Sequence, residues 1–251
     1  MAAFFDLDRT LMQGSSGVFF ARAAYEHGLI SRRRLVLDLF ENLRFRLRGS
    51  TDERADQVRR RVGEMIAGVR VRDLQRLAPR VLGGVLPRLY PDMLQRAYAH
   101  QDAGERVYIV TAASQEMAEL MAHVLGFDGG LGSRSEIVDG TYTGRAAGPF
   151  NYREGKVTAM AELAEAERLD LARSYAYSDS ESDLPMLRAV GHPVVVNPDA
   201  ELARIAAREG WEVLRMDPLG RRLRTLVIGG GVAGAGALAF GVHRRGRSQS
   251  D

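Results

Sequence analysis

The sequence predicts an α/β fold in which a parallel sheet carries helices on both faces, and three observations lead to that prediction. An apolar run at residues 2–7 ends in two carboxylates, which is typical of a short buried strand. From Arg106 onward, short strand-like runs alternate with longer runs of helical periodicity, the pattern of βαβ units. The apolar content of 45% is enough to build a sizeable core.

The elements follow one another in the order that a parallel sheet requires. Strands are predicted at 2–7, 106–110, 174–177 and 194–196, and helices at 114–125, 155–167 and 184–189. Between residues 18 and 101 the pattern is helical, with runs at 18–25, 35–47 and 58–69 separated by glycine. Right-handed crossovers then place the strand ends at Asp6, Thr111 and Asp179 on one edge of the sheet.

The first strand ends at a pair of carboxylates, Asp6 and Asp8. Residues two apart in a strand point to the same face, and at a strand's carboxyl end they lie where ligands bind in open α/β sheets. Either geometry suits one nucleophile, one proton carrier and a hard cation. An isolated pair of this kind also opens ordinary turns, so its interpretation depends on further motifs.

Three such motifs follow in order. They are the apolar strand 107–111 ending in Thr111, a lysine at Lys156, and a strand ending at Asp179 with a second acid at Asp183. Together with Asp6-x-Asp8-x-Thr10, they resemble the haloacid dehalogenase (HAD) superfamily of phosphohydrolases, and within it the phosphoserine-phosphatase-like branch, subfamily IB. Residues 139–145 are similar to the hairpin that this branch carries between its second and third motifs. The resemblance spans roughly residues 2–215.

The resemblance implies a Rossmann-like HAD core with an inserted helical cap. The core would comprise residues 1–16 and 102–218, and the cap residues 17–101, because the family inserts its cap between the first and second motifs. The alternative, that the helices of residues 17–101 belong to the core itself, stays open. Residues 219–251 remain as an apolar tail flanked by arginine.

Lys156 is the only lysine in the chain, and every other basic residue except the histidines is arginine. An ammonium is a compact point charge on a flexible stem, whereas a guanidinium is a wide planar fork. The one lysine stands where the family needs an ammonium to bridge the phosphate and the nucleophilic aspartate. Its position therefore strengthens the resemblance independently of the other motifs.

The resemblance also implies a two-step phosphoryl transfer. Asp6 would be the nucleophile and would form an aspartyl-phosphate, and Asp8 would act as general acid and then as general base. A carboxylate beside a phosphate is repelled without a cation, so Mg²⁺ is the implied cofactor. Its implied protein ligands are the Asp6 carboxylate, the Asp8 backbone carbonyl and Asp179.

Other residues have implied supporting roles. Thr111 and the backbone N–H groups of Ala112 and Ala113 would hold phosphate oxygens at a helix N-terminus. Asp183 would act behind the metal ligands by orienting waters or Lys156, and Thr10 would brace the loop of the first motif.

Two positions depart from the family pattern. Ser178 stands where the fourth motif usually has glycine, and it adds a small side chain at a tight strand end. Ser15 stands seven residues after Asp8, where phosphoserine phosphatases carry a glutamate that meets the substrate amine. The missing carboxylate argues against phosphoserine as the substrate.

Charge is concentrated in the predicted cap. Residues 17–90 contain sixteen Arg against eight Asp plus Glu, whereas the whole chain has a net charge of +3. This pattern fits a funnel for an anionic substrate or attraction to an acidic membrane surface, and it also fits a solvated helical face. Nucleic acid is not expected as a partner, because aromatic residues do not interleave with the arginines.

The tail contains an uncharged segment at residues 226–242, flanked by arginines on both sides. Its length is near the lower limit for a membrane span, and Gly230 and Gly234 form a GxxxG pattern. A C-terminal membrane anchor and a loosely helical or disordered tail both remain open. Residues 229–234 also match G-x-G-x-x-G, but the chain ends too soon afterwards for the second strand of a dinucleotide-binding unit.

The sequence therefore predicts a Mg²⁺-dependent phosphomonoester hydrolase with a small-molecule or lipid phosphate as its unassigned substrate. The alternatives are a phosphotransferase or mutase of the same family, and a non-catalytic membrane-tethered binding module. The absence of cysteine excludes thiol nucleophiles and thiolate metal sites, and the five histidines lack metal-ligand spacing. No secretory signal precedes the first motif, so the catalytic part is expected to be cytoplasmic, with tethering by residues 226–242 as an open addition.

Overall fold

The computed structural model describes residues 1–33 and 52–216. The strands are β1 (Ala2–Phe5), β2 (Arg106–Ser114), β3 (Gly129–Ser133), β4 (Ser135–Val138), β5 (Thr141–Ala146), β6 (Tyr175–Ser178), β7 (His192–Val196) and β8 (Glu212–Leu214). The helices with both ends described are α1 (Ser16–Glu26), α2 (Asp52–Ile66), α3 (Val71–Gln75), α4 (Ala78–Val85), α5 (Pro91–Asp102), α6 (Gln115–Leu125), α7 (Glu154–Glu167), α8 (Leu184–Arg188) and α9 (Ala200–Glu209).

Six of the strands form one parallel sheet in the order β3-β2-β1-β6-β7-β8. The first strand of the chain is therefore central, with β2 on one side and β6 on the other. All four of its residues are fully buried, as expected for a strand that is covered on both faces of a parallel sheet. The predicted α/β fold with a parallel sheet and covering helices is confirmed.

Aromatic packing under the first motif holds the sheet together. The ring of Phe5 stacks on that of Tyr177 in β6 with centroids 4.2 Å apart, and Phe4 stacks on Tyr108 in β2 at 5.7 Å. Burying side chains of this size contributes about 2–3 kcal/mol each. This packing fixes the backbone that presents Asp6 at the end of β1.

Most predicted elements lie within a few residues of the observed ones; strand β8 and helix α9 were not predicted, and neither was strand β3. Its sequence is Gly-Gly-Leu-Gly-Ser, which lacks the β-branched and aromatic residues that mark strands. The glycines are needed because α6 lies directly against the strand. A Cβ on Gly130 would lie 2.3 Å from the carbonyl oxygen of Ala118 in α6.

The predicted cap region is helical in its described residues, and the hairpin predicted at residues 139–145 is present. The antiparallel pair β4–β5 has its turn at residues 139–140, as predicted from the hairpin resemblance. It packs on α2 where Gly63 and Gly144 meet. The contact is close enough to require glycine at position 63, since a Cβ there would lie 2.3 Å from the carbonyl oxygen of Gly144. The predicted helix at 35–47 lies outside the described residues.

Residues Met1–Leu214 form one compact unit. The division into core (1–16 and 102–218) and cap (17–101) stays a prediction. Within residues 1–33 and 52–216, no helix has the length and apolar character needed to cross a bilayer. The proposed anchor at 226–242 lies outside those ranges.

Candidate active site

The first, second and fourth motifs lie on adjacent strands, β1, β2 and β6, at the end where these strands finish. Asp6 directly follows β1, Thr111 lies in β2, and Asp179 directly follows β6. The backbone N–H of Asp6 donates to the carbonyl oxygen of Tyr177 at 3.0 Å, so pairing with β6 continues up to the acid itself. All three side chains line one cavity, as the strand-end prediction required.

Lys156 lies at the centre of the site, in the first turn of α7, and its side chain is only 2% exposed. Its Nζ donates to Asp6 Oδ1 at 2.6 Å and to Asp183 Oδ2 at 2.7 Å. The Oγ of Ser178 donates to the same Asp183 oxygen at 2.7 Å. The serine that replaces the usual glycine thus fits the strand end and helps to hold Asp183 against the lysine.

Burial dominates the electrostatics of these carboxylates. Loss of hydration raises the pKa of Asp6 from 3.8 to about 7, although the Lys156 ammonium acts to lower it. Burial also raises the pKa of Asp179 from 3.8 to about 8, against the lowering effect of Arg9. Burial alone would lower the pKa of Lys156, but Asp183 and Asp6 more than offset this and raise it.

The second aspartate of the first motif is held by the start of α1. The hydroxyl of Ser15 donates to Asp8 Oδ2 at 2.7 Å, and the backbone N–H of Ser16 donates to Asp8 Oδ1 at 2.8 Å. Both carboxylate oxygens of Asp8 therefore have a donor. Ser15, singled out by sequence only as a missing glutamate, contacts Asp8 directly.

Arg9 was missed as a site residue by sequence analysis. Its Nε lies 2.8 Å from Asp179 Oδ2, and its backbone φ is +63°, which is uncommon outside glycine. Its position between Asp8 and Thr10 of the first motif was the only available signal. The pair places a positive charge beside a proposed metal ligand.

The predicted phosphate-binding segment has a partly different geometry. Strand β2 continues past Thr111 to Ser114, and α6 begins only at Gln115. The backbone N–H of Ala113 donates to Thr111 Oγ1 at 3.2 Å, so this amide is already bonded within β2. Ala112 and Thr111 do line the cavity.

Asn151 is a second residue that sequence analysis missed. It is buried, and its side-chain Nδ2 donates to the carbonyl oxygens of Thr111 and Leu131, both at 2.8 Å. It thereby ties the loop before Lys156 to strands β2 and β3. No motif marked it, because an asparagine in a loop is common whatever its role.

Thr10 is fully buried, and its Oγ1 has no hydrogen-bond partner within the described part of the chain. The bracing hydrogen bond expected of it is therefore not formed in this structure. The residue packs within the loop of the first motif, and its predicted role has no contact to support it.

A cavity of about 700 Å³ opens above these residues. One part of the lining is the motif cluster. A second, apolar wall comes from α1, α2 and α3 through Val18, Phe20, Ala21, Met65, Ile66 and Leu74, and α2 also contributes Arg59, Arg60 and Arg61 to the lining. Volume and lining fit a small-molecule site with polar groups at one end.

The residues present fit a hard divalent cation. The implied ligands, the Asp6 and Asp179 carboxylates and the Asp8 carbonyl, are all oxygens, which Mg²⁺ prefers. Burial raises the pKa of both carboxyls, and a bound cation would favour their ionised forms. Within residues 1–33 and 52–216, no group of three or more His, Cys, Asp and Glu side chains is arranged to hold a metal ion. The implied set differs from such a group, because it has two carboxylate side chains and one backbone carbonyl.

Known protein families and sequences resemble this chain over most of its length. The profile of the haloacid dehalogenase-like hydrolases matches residues 3–188 of the chain. The phosphoserine phosphatase SerB1 of Mycobacterium tuberculosis is 38% identical over 216 residues, which cover 84% of this chain and 70% of that protein.

Solved structures share the fold. A protein of unknown function from Bordetella pertussis Tohama I matches with a TM-score of 0.75 and 30% identity, covering 86% of this chain and 98% of its own. A phosphoserine phosphatase with an analogue of the phospho-aspartyl intermediate matches with a TM-score of 0.61 and 17% identity, covering 90% and 96%. At that identity, the second match shows a common fold alone.

Proposed function

The chain belongs to the haloacid dehalogenase-like hydrolases, and we propose that it is a Mg²⁺-dependent phosphomonoesterase that works through an aspartyl-phosphate on Asp6. The observation that carries the proposal is the environment of Lys156. The only lysine in the chain is buried and bonded to both Asp6 and Asp183. Burying an ammonium costs several kcal/mol of hydration, which its two carboxylate partners offset, and phosphoryl transfer needs charge on the phosphoryl oxygens neutralised at such a position.

In the first step, a carboxylate oxygen of Asp6 attacks the phosphorus of the ester. A bond forms between Asp6 and phosphorus while the bond from phosphorus to the leaving oxygen breaks. Asp8 gives its proton to that oxygen, and the alcohol departs. Lys156 neutralises charge on the phosphoryl oxygens throughout.

In the second step, a water attacks the phosphorus of the aspartyl-phosphate. Asp8, now ionised, takes a proton from that water, the bond between Asp6 and phosphorus breaks, and inorganic phosphate leaves. Both aspartates return to their starting states. Ester and water have become alcohol and phosphate.

Several residues would hold the phosphate and the cation. Asp6, Asp179 and the Asp8 carbonyl would bind Mg²⁺, which when bound supplies charge stabilisation on the phosphoryl oxygens. The Thr111 hydroxyl and the Ala112 amide would contact phosphate oxygens from β2. Asp183 would keep Lys156 oriented, since it shares that ammonium with Asp6 at 2.7 Å.

The substrate is proposed only as a small-molecule phosphomonoester. The name of the mycobacterial relative suggests phosphoserine, but Ser15 offers no carboxylate to a substrate amine and its hydroxyl is bonded to Asp8. The apolar wall of the cavity suits a leaving group larger than serine, and a lipid phosphate is within this class if residues 226–242 bind a membrane. Loss of a preference for lipid phosphates on truncation after Leu219 would support that extension, and an unchanged preference would remove it.

Phosphate release from a panel of phosphomonoesters, with Mg²⁺ or with a chelator, tests the proposal. Asp6→Asn removes the nucleophile, and Asp92→Asn, an exposed aspartate at the start of α5, is the matched control. We expect release that needs both Mg²⁺ and Asp6 and that survives in Asp92→Asn. Release that persists in Asp6→Asn would contradict the mechanism, and transfer to added alcohols in place of water would favour the phosphotransferase alternative.

A further inference from the structure

Helix α1 begins in an unusual way. Its N-cap is Ser15, a residue type that normally accepts a hydrogen bond from a backbone N–H in the first turn. The Ser15 side chain makes no such bond. By contrast, the N-cap Ser114 of α6 accepts from Met117, and the N-cap Asp199 of α9 accepts from Leu202.

The hydroxyl of Ser15 is bonded to the first motif instead. It donates to Asp8 Oδ2 at 2.7 Å, while Asp8 Oδ1 accepts the backbone N–H of Ser16 at 2.8 Å. The Asp8 carboxylate thus accepts the first-turn N–H of Ser16, and the hydroxyl of the N-cap Ser15 donates to that same carboxylate. Ordinary helix capping does not require this exchange.

We propose that Ser15 is a positioning residue that holds the Asp8 carboxylate, through Oδ2, in the orientation from which it transfers a proton. This inference rests on the proposed function, in which Asp8 is the general acid and base. A backbone N–H can only donate, and a protonated carboxyl oxygen is a weaker acceptor than an unprotonated one, so the Ser16 amide on Oδ1 favours the proton on Oδ2, the oxygen beside Ser15.

The hydroxyl of Ser15 suits that oxygen in a way that an amide would not. A hydroxyl both donates and accepts, so it can remain bonded to Oδ2 whether that oxygen is protonated or ionised. As the proton leaves for the alkoxide, charge develops on Oδ2, and the Ser15 O–H is already placed to stabilise it. With a donor on each oxygen, the carboxylate also cannot rotate freely.

Two esters with different needs for a proton separate this role from a structural one. 2-Phenylethyl phosphate releases a basic alkoxide that needs the proton, whereas p-nitrophenyl phosphate releases a stable phenolate that does not. In Ser15→Ala and Ser15→Gly, we expect kcat/KM to fall about ten- to hundredfold for the alkyl ester, the worth of one hydrogen bond to a charged group. For p-nitrophenyl phosphate we expect a fall of less than about threefold, because kcat/KM reports the step that forms the aspartyl-phosphate.

Rescue and background variants complete the test. Ser15→Thr keeps the hydroxyl and should restore kcat/KM for the alkyl ester. In an Asp8→Asn background, Ser15→Ala should lower kcat/KM no further. Glycine is well tolerated at an N-cap, so Ser15→Gly keeps the test valid if Ser15→Ala does not fold. Equal losses on both esters, or an undiminished loss in the Asp8→Asn background, would overturn the inference and leave the proposed function intact. If the wild-type protein hydrolysed neither ester, the proposed function would fail and this inference with it.

Discussion

Replacing Lys156 by methionine removes one charge from the most enclosed part of the site while nearly conserving side-chain length. The lysine is 2% exposed and bonded to Asp6 and Asp183 at 2.6 and 2.7 Å. In Lys156→Met, two buried carboxylates would face each other without a cation. We therefore expect a large loss of stability as well as a loss of activity.

The size of that loss follows from the burial of the pair. Breaking a buried ion pair from one side costs about 3–5 kcal/mol. For a chain of this length, each kcal/mol lowers the melting temperature by about 2–4 °C, so the fall should be roughly 6–20 °C. Lys156 acts to lower the pKa of Asp6, which is already about 7, so in the variant this pKa rises further. Protonation then relieves the repulsion, and the difference from wild type should narrow between pH 8 and pH 5.

Circular dichroism melting at pH 8 and pH 5 measures both effects. Arg22→Met makes the same change of charge at an exposed ion pair with Glu26, where the Arg22 side chain is 74% exposed. Such surface pairs contribute about 0–1 kcal/mol, so this control should melt within a few degrees of wild type. If Lys156→Met melts no lower than Arg22→Met at pH 8, the lysine is not a buried structural cation and the reasoning fails.

Two further predictions concern the metal-free site and the hairpin. Because burial raises the pKa of Asp6 to about 7 and that of Asp179 to about 8, from 3.8 when exposed, the folded protein binds protons that the unfolded chain releases. Relative to Asp179→Asn, the metal-free wild type should therefore lose stability as the pH rises from 3.8 to about 8. Adding Mg²⁺ should restore the lost stability most at pH 8. Urea titrations in which the wild type gains stability with rising pH would refute this prediction. Gly63→Ala should destabilise by about 1–3 kcal/mol, because the new Cβ would lie 2.3 Å from the Gly144 carbonyl oxygen. The control Gly83→Ala, in α4 with open space around it, should stabilise by about 0.5–1 kcal/mol, and equal effects in chemical denaturation would contradict the close contact.

Sequence patterns predicted those parts of the fold that depend on local composition. The apolar run of β1 is buried from end to end, as its pattern predicted, and Asp6 follows directly at its end. Lys156 could be singled out because it is the only residue of its type. Both signals are independent of distant parts of the chain.

Features that depend on contacts between distant segments could not be predicted in this way. Strand β3 is rich in glycine because α6 lies against it, a tertiary reason that overrides strand propensity. Asn151 bonds to carbonyl oxygens of β2 and β3 that lie 40 and 20 residues away. Ser15 could be recognised as a departure from a family pattern, but its bond to Asp8 depends on how α1 leaves the first motif.

The most direct test of the central claim is a search for the phosphoryl group on Asp6. Asp8→Asn should form the aspartyl-phosphate from p-nitrophenyl phosphate, whose phenolate needs no proton, and should then hydrolyse it slowly for lack of a base. After an acid quench in the presence of Mg²⁺, mass spectrometry of the peptide that contains Asp6 should show the mass of one added phosphoryl group. Phosphorylation at another residue, or turnover by this variant with Asp6 never modified, would contradict a mechanism in which Asp6 is the nucleophile.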